Sequence, residues 1–221
     1  MAEVTFEMVK ADPEVQTYIR YAQEMLAAIA FTEHGLRHVG LVAHRAMKVM
    51  EDLGRPARMV ELAGIAALLH DIGNIVNRHD HGQSGALLAH QILSRMGMPP
   101  DEIAVVMSAI GNHEEEVGNP VNDVAAALIL ADKSDVHRSR VSNRDKATFD
   151  IHDRVNYAAE HSELVVLPDA KVVRLQLKVD TSIIQIMEYF EIFLNRMIMS
   201  RRAATFFGCH YELVINDTRL L

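Results

Sequence analysis

The chain has 221 residues, of which 49% are apolar, and a formal net charge of −8. No stretch approaches the roughly 20 uninterrupted apolar residues that a membrane span needs, and the acidic balance argues against broad phosphate contacts with long nucleic acids. The single cysteine, Cys209, excludes an internal disulfide and a Cys-based zinc cluster. Because the N-terminus also lacks the features of a secretory signal, we expect a reduced, cytoplasmic protein.

Apolar residues at helical spacing dominate the first two-thirds of the chain. Pro13, which follows Asp12, indicates a helix start, and Gly54 and Gly97 indicate helix ends. The pattern predicts helices over residues 13–30, 34–53, 57–73, 84–96, 99–113 and 121–132.

The pattern changes after about residue 160. Two strands are predicted over residues 163–167 and 171–179, around a turn at Pro168, because the second of them alternates apolar and polar residues. A long helix over 182–204 and a third strand over 211–215 follow. We therefore predict a mainly α protein with two parts, a helical domain over residues 1–160 and a small α+β appendage over 161–221. The appendage has three short strands and one long helix, and packs on the helical domain.

A polar pair interrupts the apolar helix that precedes Gly73. His70 and Asp71 follow four apolar residues, and a buried carboxylate is costly unless it is paired or bound to a metal. A capping aspartate beside a core histidine would explain the pair equally well. However, His38 lies upstream, and the apolar run 125–131 ends in Asp132. Such a mixed nitrogen and oxygen set suits a divalent metal that keeps positions open for water and substrate.

The order of His38, His70-Asp71 and Asp132 resembles the signature of the HD-domain superfamily of metal-dependent phosphohydrolases. The flanking sequences Leu-Leu-His-Asp-Ile-Gly and Ile-Leu-Ala-Asp-Lys agree with it, and the resemblance covers roughly residues 34–140. It implies an HD-domain-like helical bundle that binds a first metal through these four residues.

The resemblance also implies a second metal. His81 and His113 fall where the two-metal members of the superfamily carry additional ligands, so Asp71 would bridge the two ions. The alternative is that His81 is a loop histidine and His113 a C-cap favoured by the helix dipole. The sequence does not distinguish among Fe, Mn, Mg, Ni, Co and Zn as the bound metal. Asn74, where many relatives have lysine, and Glu114, where some have a second histidine, prevent assignment to a branch; Glu114 could itself be a ligand or a base.

The implied activity is hydrolysis of a small phosphate ester, such as a nucleotide, by metal-activated water. Besides Asp71, catalytic roles are expected for His34, one helical turn before His38 and suited to proton transfer, and for Lys133, which would neutralise developing charge. Basic residues shortly after Asp132 are candidate phosphate contacts, although surface arginines are more often only solvated; they are Lys133, Arg138, Arg140 and Arg144.

Two other functions remain open at this point. The same ligands are used by di-iron oxygenases of the superfamily, because histidine and carboxylate also bind iron. Alternatively, the chain is a non-catalytic regulatory domain with a structural metal, and residues 161–221 form an oligomerisation surface. We expect a small phosphorylated substrate as the partner, and neither a membrane nor a long nucleic acid.

Overall fold

A computed structural model describes residues 3–143 and 145–221. These residues form nine α-helices: α1 (Phe6–Ala11), α2 (Pro13–Ala28), α3 (Leu36–Asp52), α4 (Ala57–Leu69), α5 (His81–Met96), α6 (Pro100–Gly111), α7 (Asp123–Lys133), α8 (Ile151–Ala158) and α9 (Ile186–Phe206). Three short 3-10 turns cover Ile72–Ile75, Arg138–Arg140 and Lys146–Thr148. The strands are β1 (Ala159–Leu167), β2 (Val172–Val179), β3 (His210–Ile215) and β4 (Thr218–Arg219).

Local signals explain where several helices begin and end. At the start of α2, Asp12 Oδ1 accepts hydrogen bonds from the backbone N–H groups of Glu14 and Val15, at 3.0 and 3.2 Å. Helix α4 ends at Leu69, slightly earlier than predicted, and a 3-10 turn carries the chain onward. Helices α1 and α8 were not predicted, because elements of six and eight residues are too short for a clear apolar period.

Two helices, α4 and α7, form the centre of the fold. Every residue over 62–69 in α4 and over 124–131 in α7 is buried, as expected for helices that are apolar all round. Helix α3 packs against both. Each Leu or Ile side chain fully buried there contributes about 1.5–3 kcal/mol. None of the described helices is both long enough and apolar enough to cross a membrane.

The C-terminal residues form a four-stranded sheet in the order β1-β2-β3-β4. Strands β1 and β2 are antiparallel, whereas β2 and β3 are parallel, so the connection between the latter two requires a crossover, which is α9. The prediction of three strands missed β4, a two-residue strand that pairs with β3 after a turn through Asn216 and Asp217, both at positive φ. A mainly α fold with a small C-terminal α+β part is confirmed.

The C-terminal part packs on the helical part through α9, which lies along α7. Strand β1 is tied to the helices by Ser162, whose carbonyl accepts a hydrogen bond from Arg45 and whose hydroxyl donates one to the carbonyl of Ser134. The division into residues 1–160 and 161–221 stays a prediction. The first strand begins at Ala159, four residues before the predicted start at Glu163 and two before the predicted boundary.

Gly73 allows the turn after the His-Asp pair to approach the start of α5. A Cβ atom at this position would overlap the backbone of His81 and Gly85. We therefore expect Gly73→Ala to lower the free energy of unfolding by about 1–3 kcal/mol, the usual cost of overpacking. Urea denaturation measures this change. Gly40→Ala is the matched control. Gly40 is exposed on α3 and its Cβ would meet nothing within 4 Å, so this variant should stabilise the protein by up to about 1 kcal/mol. Equal effects of the two variants would contradict this account of Gly73.

Candidate metal centre

The six predicted ligands meet at one end of α4 and α7, although they come from separate parts of the chain. They are His38 in the first turn of α3, His70 and Asp71 directly after α4, His81 at the start of α5, His113 after α6, and Asp132 in the last turn of α7. All are buried except Asp132, which is partly exposed.

The carboxylate of Asp71 lies between two groups of histidines. Its Oδ2 is 3.5 Å from His38 Nε2 and 3.2 Å from His70 Nε2. Its Oδ1 is 3.3 Å from His81 Nε2 and 4.0 Å from His113 Nε2. Oδ2 therefore faces His38 and His70, whereas Oδ1 faces His81 and His113. A carboxylate that bridges two metal ions needs this arrangement.

Asp132 joins the first of these groups. Its Oδ1 is 3.4 Å from His38 Nε2 and 3.8 Å from His70 Nε2, while its Oδ2 is 2.7 Å from Lys133 Nζ. The donor atoms of three overlapping residue sets lie within 4.8 Å of one another, close enough to hold a metal ion. These sets are His38-His70-Asp71, His70-His113-Asp132 and Asp71-His81-His113.

The four histidines among the predicted ligands each have a hydrogen-bond acceptor for a proton on Nδ1. For three of them it is the carbonyl of the residue three positions earlier: Ala67 for His70 at 2.7 Å, Arg78 for His81 at 3.1 Å, and Ile110 for His113 at 2.6 Å. For His38 it is Asp135 Oδ2, at 2.7 Å, although Arg140 Nη1, which donates to the same carboxylate, also contacts Nδ1. A proton held on Nδ1 leaves Nε2 with its lone pair, and each Nε2 is the atom that faces Asp71.

The donor atoms fit a divalent cation. His38 Nε2, His70 Nε2 and Asp71 Oδ2 are buried and have no hydrogen-bond partner among the described residues. The Nε2 atoms of His81 and His113 are 3.1 Å apart, although both rings donate from Nδ1. Buried polar atoms without partners are costly, and a metal ion satisfies all of them at once.

The charges of the site also favour a cation. Burial alone would raise the pKa of Asp71, but His70 beside it holds the pKa well below its usual range, so the carboxylate stays ionised. Although burial opposes a charged imidazolium, the pKa of His70 is raised because Asp71 lies beside it. Burial, with His70 and His81 nearby, lowers the pKa of His113 well below its usual range, so it is neutral and ready to ligate.

Asp135 orients His38 and was not predicted from the sequence. Its carboxylate, which is fully buried, accepts from His38 Nδ1, from Arg37 Nη2 at 2.8 Å and from Arg140 Nη1 at 3.1 Å. These donors hold the pKa of Asp135 far below its usual range even though burial would raise it. The sequence feature that could have indicated this role is the position of Asp135 three residues after Asp132, near the same face of a helix end.

Asn74 orients Asp71 in a similar way. Its side-chain amide donates to the backbone carbonyl of Asp71 at 2.9 Å and to Oδ1 at 3.1 Å. Glu114, in contrast, faces the other side of His81: its Oε1 accepts from the N–H of Gly82 at 2.5 Å and lies 3.3 Å from His81 Nδ1. Glu114 therefore caps the start of α5 and does not face the Nε2 atoms.

His34 is buried beside the centre, with both ring nitrogens in hydrogen bonds. Nδ1 donates to the carbonyl of Thr32 at 2.6 Å, and Nε2 accepts from Arg140 Nη2 at 3.0 Å. Burial, reinforced by Arg140, lowers its pKa well below its usual range. In this arrangement neither nitrogen is free to accept a further proton, so the proton-transfer role expected of His34 stays a prediction without support from its hydrogen bonds.

The predicted phosphate contacts lie in different places. Lys133 lines the cleft above the centre. Arg138 is on the surface, 3.3 Å from Glu160, and Arg140 is buried behind His38 and His34. Neither arginine lines the cleft. Arg144 lies outside the described residues.

A cleft of about 550 Å³ opens over the metal centre. Helix α9 supplies one wall, with Ile192, Phe193 and Arg196, and the loop before α5 supplies Arg78 near Phe31. Sequence reasoning gave none of these residues a role, because α9 is far from the ligand motifs along the chain.

Comparison with known proteins agrees with this geometry. The model of the HD domain family matches residues 35–137, which include all six predicted ligands, with His81 and His113 between His70 and Asp132. Residues 35–137, just under half of the chain, therefore match the HD domain family.

Two other proteins are similar to part of this chain. An uncharacterized protein of Methanocaldococcus jannaschii is 27% identical over 182 residues, covering 72% of this chain and 69% of its own. The crystal structure of a predicted HD superfamily hydrolase from an uncultured Thermotogales bacterium is 28% identical, with a TM-score of 0.46, and covers 59% of this chain and 73% of that one.

Replacing Asp135 should weaken metal binding. Asp135→Asn keeps the shape but removes the charge that holds the Nδ1 proton of His38, so we expect about 10–100-fold lower metal affinity, the usual cost of losing such a partner. Titration calorimetry with Mn²⁺ measures it. Asp169→Asn, in the exposed turn between β1 and β2, is the matched control and should leave the affinity unchanged. Unaltered affinity in Asp135→Asn would show that His38 needs no orienting carboxylate.

Proposed function

We propose that this protein is a metal-dependent phosphohydrolase that cleaves a small phosphate ester, such as a nucleotide, with two divalent cations. The observation that carries the proposal is the position of Asp71, whose two oxygens face two separate groups of histidine Nε2 atoms. Imidazole and carboxylate together suit Mn, Fe, Co, Ni and Zn, and carboxylate also suits Mg.

Cations bound there would activate water near neutral pH and supply positive charge to the phosphoryl oxygens. The chain prepares its residues for this chemistry. The low pKa of Asp71 keeps it ionised, and Asn74 orients the oxygen that faces His81. Lys133, only 7% exposed, holds its ammonium group against Asp132 Oδ2 at the wall of the cleft.

The walls of the cleft support a small anionic substrate. Arg78 contributes positive charge that no carboxylate among the described residues neutralises, which matches a phosphate group, whereas Lys133 and Arg196 are paired with acidic residues. Ile192 and Phe193 contribute apolar surface, which would hold an organic leaving group and reduce access of bulk water. A cleft of about 550 Å³ is also within the usual range for small-molecule sites, which favours an enzyme over a domain with a closed structural metal.

The ligands alone do not separate this proposal from the di-iron oxygenase, because iron binds the same donor atoms. The unpaired positive charge of Arg78 beside the centre favours the phosphohydrolase. Two equivalents of iron per chain, together with oxygen consumption on addition of an organic substrate and no phosphate release, would support the oxygenase instead.

Phosphate release from a panel of nucleoside monophosphates and phosphodiesters tests the proposal. The protein would be freed of metal and then reloaded with Mn²⁺, Mg²⁺, Co²⁺, Ni²⁺, Zn²⁺ or Fe²⁺. We expect activity with at least one ion. Asp71→Asn should lose about 100-fold or more of this activity, because losing only a hydrogen-bond partner of a ligand already costs about 10–100-fold. Asp101→Asn, exposed on α6, should keep full activity. Equal rates in wild type and Asp71→Asn, or no release with any ion, would contradict the proposal.

A further inference from the structure

Arg78 lies between the metal centre and the open cleft. It precedes α5, and its Nη1 atom is 3.3 Å from His81 Nε2 and 3.4 Å from Asn74 Oδ1. Its guanidinium carbon is 5.2 Å from the centre of the Phe31 ring, which is 39% exposed. The group is therefore held beside the ligands by an aromatic ring and by weak, long hydrogen bonds.

Its charge is not neutralised by a carboxylate, unlike those of the other cations in the cleft. Lys133 lies 2.7 Å from Asp132 Oδ2 and 3.5 Å from Glu115, and Arg196 lies 2.8 Å from Glu115. Within the described part of the chain, no carboxylate oxygen lies within ion-pair distance of the Arg78 guanidinium. A half-buried cation without a counterion is suited to receiving an anionic ligand.

Metal binding would also free the Nη1 atom of Arg78, which contacts His81. His81 donates from Nδ1 to the carbonyl of Arg78, so its Nε2 can only accept the hydrogen bond from Arg78 Nη1. A metal ion on His81 would use the lone pair that accepts this bond. Nη1 would then keep only its long contact with Asn74 Oδ1, and the cleft in front of it is where a substrate would lie.

We propose that Arg78 binds the non-bridging oxygens of the substrate's phosphoryl group, while the Phe31 ring holds its guanidinium plane in position. This inference rests on the proposed function, because it names a residue that recognises the substrate of that site. The planar fork of arginine can donate two parallel hydrogen bonds to a phosphate, whereas lysine offers a single point charge. Arg78 is thus a binding residue and not a metal ligand.

Binding of inorganic phosphate to the metal-loaded protein tests the inference without requiring turnover. Titration calorimetry would compare wild type with Arg78→Gln and Arg78→Lys, and metal content would be measured for each. We expect Arg78→Gln to weaken phosphate binding about 10–100-fold, as for loss of hydrogen bonds between charged groups. Arg78→Lys should fall between the two, and metal content should stay unchanged.

Arg20→Gln is the matched control. Arg20 also stacks on an aromatic ring, with its guanidinium carbon 4.5 Å from the centre of the Tyr21 ring, but it is exposed on α2 and does not line the cleft. Phosphate binding should be the same in this variant as in wild type. Thermal melting of every variant would identify any that fails to fold, in which case Arg78→Lys carries the comparison.

The outcomes separate the two proposals. Phosphate binding that depends on Arg78, without hydrolysis of any ester, would support the inference and contradict the proposed function. Hydrolysis in which Arg78→Gln leaves both KM and phosphate affinity unchanged would overturn the inference alone. Loss of metal from Arg78→Gln would also overturn it, since Arg78 would then act by supporting His81.

Discussion

Four buried histidines each donate the Nδ1 proton to an acceptor within the fold, and the rest of the metal centre depends on these hydrogen bonds. For His70 and His113 the acceptor is a carbonyl in the last turn of a helix, where carbonyls lack partners within the helix. For His38 it is the carboxylate of Asp135. Because the proton is on Nδ1, each ring presents the lone pair of Nε2, and the fold directs all four lone pairs towards Asp71.

This convergence is unfavourable until a cation is present. Nitrogen lone pairs and two ionised carboxylates lie close together in a buried space, which costs free energy without a compensating positive charge. The surrounding structure resists this repulsion: residues 62–69 of α4 and 124–131 of α7 are all buried, and Arg37 and Arg140 neutralise Asp135. A metal ion that binds only the native state therefore adds its binding free energy to the stability of the fold.

The sequence supports most of the fold and the six proposed ligands, but for different reasons. Long helices with an apolar period were predictable to within a few residues, whereas α1, α8 and β4 were too short to give a pattern. The ligands followed from a resemblance, since spacing alone left the His70-Asp71 pair undecided. The cleft was not predictable, because its charge depends on contacts between distant residues: Glu115 holds Lys133 and Arg196 together, and Arg78 lies against Phe31.

The most direct test of the central claim is a long-range ¹H–¹⁵N spectrum of the histidine rings during titration with Zn²⁺, a diamagnetic ion. We expect His38, His70, His81 and His113 all to bind through Nε2 while Nδ1 keeps its proton, and the changes to be complete at two equivalents. Exposed His79 and His161 should not respond at low Zn²⁺. Binding through Nδ1 at any of the four, or saturation at one equivalent with His81 and His113 unaffected, would contradict the account.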